Sequence, residues 1–170
     1  MTSLTVGLLQ FDFPLGWRAE KYDETTHYIR HVQNLADSKA VDIVALSPAP
    51  NVSIWLIEVK DYRAHPRAKD LEFFEEIARK VRDTLAGLLL ARQRPQAGTL
   101  HTLSRALNHD INVRVAVHLE QTRKPSKLRP AVTDRDNHRR KLRQVLRAVD
   151  TKAEICERSA MPFAVGWDVI

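Results

Sequence analysis

The sequence predicts an α/β fold in which a mixed β-sheet is flanked by helices. Two β-rich runs, Val41–Leu46 and Val52–Lys60, flank a turn rich in proline, which favours a hairpin. A later run, Val113–Leu119, is dense in β-branched residues and is typical of a central strand. Between them, Leu71–Arg92 repeats apolar side chains at the i, i+3, i+4 spacing of an amphipathic helix. Strands and helices in this order build a layered α/β domain.

Further elements are expected elsewhere in the chain. Residues Leu4–Phe13 are predicted to form an edge or partner strand, and Leu100–Asn108 a short helix. A last strand is expected in Pro162–Ile170, with Trp167 in the core, and Cys156 is expected to pack within a helix.

Length and composition are those of a single domain spanning residues 1–170. A chain of 170 residues with 44% hydrophobic residues is long enough for a substantial core. The single cysteine fits a reducing compartment, so a cytoplasmic protein is expected. No segment approaches the ~20 apolar residues of a membrane span, and the N-terminus lacks the basic region of a signal peptide. No membrane partner is therefore expected.

The predicted hairpin carries two acids and a lysine inside apolar sequence. Side chains alternate faces along a strand, so Glu58 and Lys60 share a face. A loop centred near Pro50 gives the register in which Asp42 lies opposite Glu58, with Cβ atoms roughly 5 Å apart. Two ionised carboxylates at that distance repel each other unless a cation lies between them. Because both ligands are hard oxygens, Mg²⁺ or Mn²⁺ is the expected cation.

Such an ion generates a hydroxide nucleophile and stabilises charge on a phosphoryl oxygen. Lys60, next to it on the same face, can orient the water or help to deprotonate it. The three residues therefore predict metal-dependent phosphodiester hydrolysis. An ordinary solvated ion pair on a strand edge is the alternative interpretation of Glu58 and Lys60, because short patterns of this kind also arise by chance.

The spacing of these residues resembles a known family. Asp42, followed sixteen residues later by Glu58-Val59-Lys60 at the end of an apolar strand, is similar to the motif of the PD-(D/E)xK nuclease superfamily, which includes restriction endonucleases and Holliday-junction resolvases. The resemblance covers roughly residues 18–149 and implies a restriction endonuclease-like αβββαβ core. It also implies that Asp42 and Glu58, with the Val59 carbonyl, bind Mg²⁺ (or Mn²⁺), while Lys60 serves the attacking water. DNA is the expected substrate rather than RNA, and a homodimer remains open.

Residues Trp17–Asp37 are predicted to form the first helix of that core. Trp17, Tyr28, Val32 and Leu35 fall on one stripe of the helix, and Glu24 falls on the same stripe. The resemblance implies that Glu24 reaches from this helix to the metal as a further catalytic acid, with Glu20 as its substitute. The alternative is that Glu24 points outward and is favoured only by its place near the helix N-terminus.

Positive charge is concentrated between Glu120 and Arg147, where ten Lys or Arg face three Asp or Glu. Acids in this segment are too few to pair with the bases, so contact with a nucleic-acid backbone is predicted. The residues predicted to contact nucleic acid are Arg63, Lys69, Arg123, Lys124, Lys127, Arg129, Arg139, Arg140 and Arg143. Nothing in the segment predicts the reading of base sequence.

Two functions of other classes stay open. One is a nuclease fold that keeps its basic face without cutting, and acts as a nucleic-acid-binding module or a partner subunit of a larger complex. The other is a toxin–antitoxin-like partner whose basic helix meets an acidic protein.

Overall fold

The structure is a computed structural model that describes residues 1–63, 73–94, 97–121 and 135–170. The elements are, in chain order, β1 (Thr2–Val6), β2 (Leu9–Phe13), β3 (Arg18–Lys21), β4 (Ile43–Leu46), β5 (Ser53–Asp61), α1 (Phe73–Gln93), α2 (Gly98–Ala106), β6 (Asn112–Glu120), α3 (Arg135–Val145), β7 (Glu154–Cys156) and β8 (Asp168–Val169). The strands form a five-stranded sheet of order β3-β4-β5-β6-β7 and a three-stranded sheet of order β1-β2-β8. No helix within the described ranges is long and apolar enough to cross a bilayer.

The larger sheet is mixed, as expected. Strands β3, β4 and β5 pair antiparallel, whereas β6 and β7 continue the sheet parallel to β5. The parallel step from β5 to β6 requires a crossover connection, and α1 and α2 lie within that connection. The predicted hairpin is confirmed, since Ile43 pairs with Ile57 and Leu46 with Ile54.

The two faces of the larger sheet are covered by different layers. Alternation along β5 sends Leu56 into a core shared with α1, α2 and α3. The same alternation sends Trp55 and Ile57 into a second core, which is shared with the three-stranded sheet. Helices therefore cover one face, and the expectation that they flank the sheet holds for that face alone.

The prediction of a helix over Trp17–Asp37 is wrong. The chain enters as β3 and continues through a 3₁₀ turn (Tyr22–Glu24) and a single π-helical turn (Tyr28–Val32). The Thr25 hydroxyl accepts a hydrogen bond from the Tyr28 N–H at 3.2 Å, so a new turn begins at Thr25 instead of continuing the previous one. The apparent apolar stripe is divided between the two cores, because Trp17 packs towards the small sheet and Tyr28 towards the helices.

Four other expectations need correction. No helix precedes β3, because the described chain ahead of it forms the β1–β2 hairpin. Leu4–Phe13 is therefore not a single strand. Cys156 lies in β7, not in a helix. Trp167 is buried as expected, but the final strand is only the two-residue β8.

Candidate active site

Asp42 and Glu58 lie on the helix-covered face of the sheet, near the end of the β4–β5 hairpin. The pairing of Ile43 with Ile57 continues to Asp42 and Glu58, so the predicted register is observed. The Asp42 carboxylate accepts a hydrogen bond from the backbone N–H of Val59 at 2.6 Å. This bond fixes the first acid against the strand that carries the second.

The Glu58 carboxylate is fully buried, with no exposed surface. Its Oε1 atom accepts hydrogen bonds from the Lys80 ammonium at 2.6 Å and pairs with the Lys60 ammonium at 2.8 Å. Its Oε2 atom is buried and has no hydrogen-bond partner in the described part of the chain. Burial, and then the negative charge of Asp42, raise the pKa of Glu58 to about 7, against the opposing effect of the two lysines.

Lys60 bridges two acids. Its ammonium donates to Glu76 Oε1 at 2.6 Å in addition to its contact with Glu58. Burial lowers the pKa of Lys60, but the attraction of Glu58 and Glu76 outweighs burial, and the pKa rises above the usual value for a lysine. Lys60 is therefore a cation and hydrogen-bond donor near neutral pH. In this arrangement it is suited to orienting a water molecule and not to deprotonating one.

A polar strip on α1 faces this site. Charged residues of an amphipathic helix are ordinarily expected on its solvent face, but Lys80 binds Glu58 and Asp83 is buried. Asp83 Oδ2 accepts the Lys39 N–H at 3.0 Å, and the Thr84 hydroxyl accepts the Val41 N–H at 3.0 Å. Helix α1 thus anchors the segment that leads into Asp42.

A signal for this strip is present in the sequence. Glu76, Lys80 and Thr84 recur at intervals of four residues, directly beside the apolar stripe of the same helix. A row of polar residues at that position lies at the edge of the helix–sheet interface, where the side chains can turn towards the sheet. Because Lys80 is charged, it is readily assigned to the solvated face of the helix instead.

The acids of the β3–β4 connection are arranged differently from the prediction. Glu24 is exposed and pairs with Lys21, so its proposed approach from an apolar helix face is wrong, and its metal-binding role stays a prediction. Asp23, its neighbour, has a buried Oδ1 atom without a partner in the described residues. Burial, and next the charge of Asp42, raise the pKa of Asp23 to about 6. Asp23 is therefore the acid of this connection whose pKa is affected by the charge of Asp42. Glu20 is half-buried, and the Leu100 backbone forms a hydrogen bond with it.

The donor set suits a hard cation held by few protein ligands. Within the described ranges, no group of three or more His, Cys, Asp or Glu residues is arranged to hold a metal ion. The pair Asp42 and Glu58 remains, and Mg²⁺ characteristically takes one or two carboxylates and keeps several waters. The unpartnered Oε2 of Glu58 is the atom that such an ion would satisfy.

Two of the arginines of α3 pair with an acid of the neighbouring strand. Arg139 and Arg143 both pair with Glu154 of β7, at 3.1 and 2.5 Å. Arg140 is exposed and forms no ion pair with the described residues. The expectation that acids are too few to pair with these bases is wrong for Arg139 and Arg143.

The remaining basic residues fall into two groups. Arg63 is held by Asp61, to which its Nη2 atom donates at 2.6 Å. The other predicted contact residues lie outside the described residues; they are Lys69, Arg123, Lys124, Lys127 and Arg129.

Comparison with known proteins gives one partial likeness. The chain is 31% identical to a cysteine–tRNA ligase of Neisseria meningitidis serogroup A over 170 aligned positions, which cover 81% of this chain and 24% of the ligase. The chain thus spans about a quarter of the length of that relative. No family model and no solved structure matches the chain.

The arrangement of these groups is suited to binding a cation or carrying a proton. Two carboxylates converge on one face, one of them with a free oxygen, and a protonated lysine lies beside them. A buried acid with a pKa near 7, coupled to a second acid, is typical of functional sites. Such a group binds a cation when it is ionised and can carry a proton when it is not.

Proposed function

We propose that this chain is a metal-dependent nuclease that hydrolyses phosphodiester bonds in nucleic acid. The observation that carries the proposal is the arrangement of Asp42, Glu58 and Lys60 on one sheet face, with a buried Glu58 oxygen left unpartnered. Asp42 and Glu58 would hold a divalent cation, whose positive charge would offset the repulsion between the two carboxylates. The Lys60 ammonium lies beside Glu58 and would donate a hydrogen bond to a water molecule at that site.

The order of the strands supports the proposal. An antiparallel run β3-β4-β5, followed through α1 and α2 by the parallel strand β6, is the order expected for the βββαβ part of a restriction endonuclease-like core. Where such a core has a leading helix, the described chain has the β1–β2 hairpin. The proposal therefore rests on the shared sheet order and the motif, with a different element ahead of β3.

The backbone of Val59 provides a further point in favour. Its N–H points to Asp42, and in an extended strand the N–H and C=O of one residue point to the same side. The Val59 carbonyl therefore lies on the side of β4 and can join Asp42 and Glu58 as a ligand. When bound, Mg²⁺ or Mn²⁺ would supply an activated water and stabilise charge on the phosphoryl oxygen.

The substrate is proposed to be nucleic acid, either DNA or RNA. The resemblance to the nuclease superfamily favours DNA. The partly similar relative is named as a ligase for transfer RNA, so RNA is kept as a substrate to be tested. Arg143 is ion-paired with Glu154, and Arg139 with both Glu154 and Asp136. Of the three α3 arginines predicted to contact nucleic acid, the exposed Arg140 is therefore best placed to contact a phosphate.

A second function is favoured by the burial of Glu58. Its carboxylate has no exposed surface and one of its oxygens already contacts two ammonium groups. A site neutralised in this way can be stable without a metal. The chain would then bind nucleic acid without cutting it.

Nicking of a supercoiled plasmid and cleavage of a labelled RNA, each with Mg²⁺, Mn²⁺ or EDTA, separates the two functions. The nuclease should cut one substrate only with metal, and Asp42→Ala or Lys60→Ala should reduce cleavage at least 100-fold while binding is retained. Lys39→Ala is the matched control, because its exposed side chain lies outside the site. If the wild-type chain binds but cuts neither substrate with either metal, the non-cutting function is correct and the nuclease proposal is wrong.

A further inference from the structure

A second candidate site lies at the opposite end of the larger sheet. A cavity of about 620 Å³ opens where β5 and β6 begin. The residues of this cavity that carry the argument are Asn51, Ser53, Asn112, Arg114, Arg147 and Lys152. Ser53 and Lys60 lie seven positions apart along β5, which corresponds to roughly 23 Å along the strand. The cavity is therefore separate from the candidate active site.

The Arg114 side chain is held in one position in this cavity by its contacts. Its Nε atom donates to Asp150 at 3.2 Å and its Nη2 atom to the Lys152 carbonyl at 3.0 Å, while its guanidinium lies over the Trp55 ring at 4.6 Å from the centroid. Asp150 is itself held, because it accepts the backbone N–H of Val115 and of Lys152, each at 2.8 Å. The Nη1 atom of Arg114 has no partner among the described residues and is free to donate.

The cavity carries an excess of positive charge. Three cations, Arg114, Arg147 and Lys152, are opposed by the single carboxylate of Asp150. Arg147 and Lys152 are exposed, and neither forms an ion pair with any residue that the structure describes. This differs from α3, where Arg143 is ion-paired with Glu154, and Arg139 with both Glu154 and Asp136. Unpaired cations around a concave surface attract an anion.

We infer that this cavity binds the phosphate of a nucleotide, either free or within a nucleic-acid strand. The size of the cavity suits a ligand of that class. Arginine and lysine supply charge-assisted hydrogen bonds to phosphate oxygens, and Asn112 and Ser53 supply neutral ones. Because the guanidinium of Arg114 covers the Trp55 ring, that indole face is closed to a base, and recognition depends on phosphate and not on base identity. The inference requires neither Asp42 nor a metal.

Binding measured in EDTA at low salt tests the inference independently of cleavage. The probes are inorganic pyrophosphate, adenosine 5′-monophosphate and a 5′-phosphorylated single-stranded oligonucleotide, each titrated by calorimetry. The double variant Arg147→Gln/Lys152→Gln should weaken binding at least tenfold, and Asn112→Asp, which places a carboxylate in the cavity, should also weaken it. The matched control Lys39→Gln/Arg79→Gln also removes two charges, from exposed positions outside the cavity, and should change binding less than twofold.

The probes also distinguish the sources of the phosphate. If pyrophosphate or the mononucleotide binds and the double variant loses it, the ligand is a free nucleotide. If only the oligonucleotide binds and the double variant weakens it, the ligand is a strand phosphate. The inference is wrong if no probe binds, or if Lys39→Gln/Arg79→Gln weakens binding as much as Arg147→Gln/Lys152→Gln. Circular dichroism of each variant verifies that the exposed substitutions leave the fold intact.

Discussion

The two faces of β5 bury opposite kinds of side chain. Towards the helices the strand presents Glu58 and Lys60, and towards the small sheet it presents Trp55 and Ile57. On the second face, the ring centroids of Trp167 and Trp55 lie 5.1 Å apart, and Trp167 also packs against Phe13. The aromatic face stabilises the fold by burying apolar surface, which does not depend on pH.

The charged face gains much less from burial. Removing a carboxylate and an ammonium from water costs several kcal/mol, which their attraction only partly offsets. The Glu58 pair with Lys60 and Lys80 is therefore a poor source of stability, and its presence beneath α1 is better explained by function. One face of the strand thus stabilises the fold, while the other carries the charged groups on which the proposed activity depends.

The largest effect is expected from the aromatic face. Trp167→Ala should lower the free energy of unfolding by about 3–5 kcal/mol, because it removes a buried ring and leaves a cavity. Urea unfolding at pH 5 and pH 8 measures the loss, which should be similar at both values. Phe163→Ala, at a fully exposed position, is the control and should change stability little. A strongly pH-dependent loss for Trp167→Ala would contradict the division between the faces.

The charged face should make stability depend on pH. The pKa of Glu58 is raised from 4.5 in the unfolded chain to about 7 in the folded one, so the folded state binds more protons between these values. Stability should therefore fall as the pH rises from about 4.5 to 7, by at most about 3 kcal/mol from this group. Asp23, whose pKa is raised to about 6, acts in the same direction.

Unfolding of wild type and Glu58→Gln across pH 4–8 measures this contribution. The difference between the two curves isolates Glu58, since the other titrating groups are shared. The variant should lose most of the decline over that window. Parallel curves for the two proteins would show that Glu58 does not titrate with a raised pKa.

The parts of the fold that depend on local periodicity were predictable. The β4–β5 register followed from the loop around Pro50, and α1 and β6 followed from their repeats of apolar residues. The segment Trp17–Asp37 failed because burial in two different cores produced a helix-like repeat by coincidence. Periodicity records that side chains are buried, but not on which side of the sheet.

The candidate site shows the same limit. Strand alternation placed Glu58 and Lys60 on one face, because that rule involves only neighbouring residues. The contact of Lys80 with Glu58 joins a helix to a strand across 22 positions, and no local rule specifies it. Glu154 likewise lies too far along the chain to be counted among the acids near Arg139.

A smaller effect on the charged face is expected from Lys80. Lys80→Met leaves the buried Glu58 with one ammonium partner and should lower stability by about 2 kcal/mol at pH 8, less than the full loss of a buried pair because Lys60 remains. At pH 5 the loss should be smaller, since Glu58 is then protonated. Arg79→Met, on the exposed side of α1, is the matched control. Equal losses at the two pH values would mean that Lys80 contributes through packing and not through charge.

The smallest effects concern α3. Its charged side chains are not fully buried, and only some of its arginines form ion pairs. Arg143→Ala should lower stability by about 1 kcal/mol, because its guanidinium pairs with Glu154 and donates to the Ala153 carbonyl at 2.9 Å. Arg140→Ala should leave stability unchanged but reduce the salt dependence of nucleic-acid binding by about one unit of slope, as expected for one lost phosphate contact. Thermal unfolding and binding at several salt concentrations separate the two variants. If Arg143→Ala altered the salt slope as much as Arg140→Ala, its ion pair with Glu154 would have to open on binding, and the paired arginines of α3 would belong to the nucleic-acid surface after all.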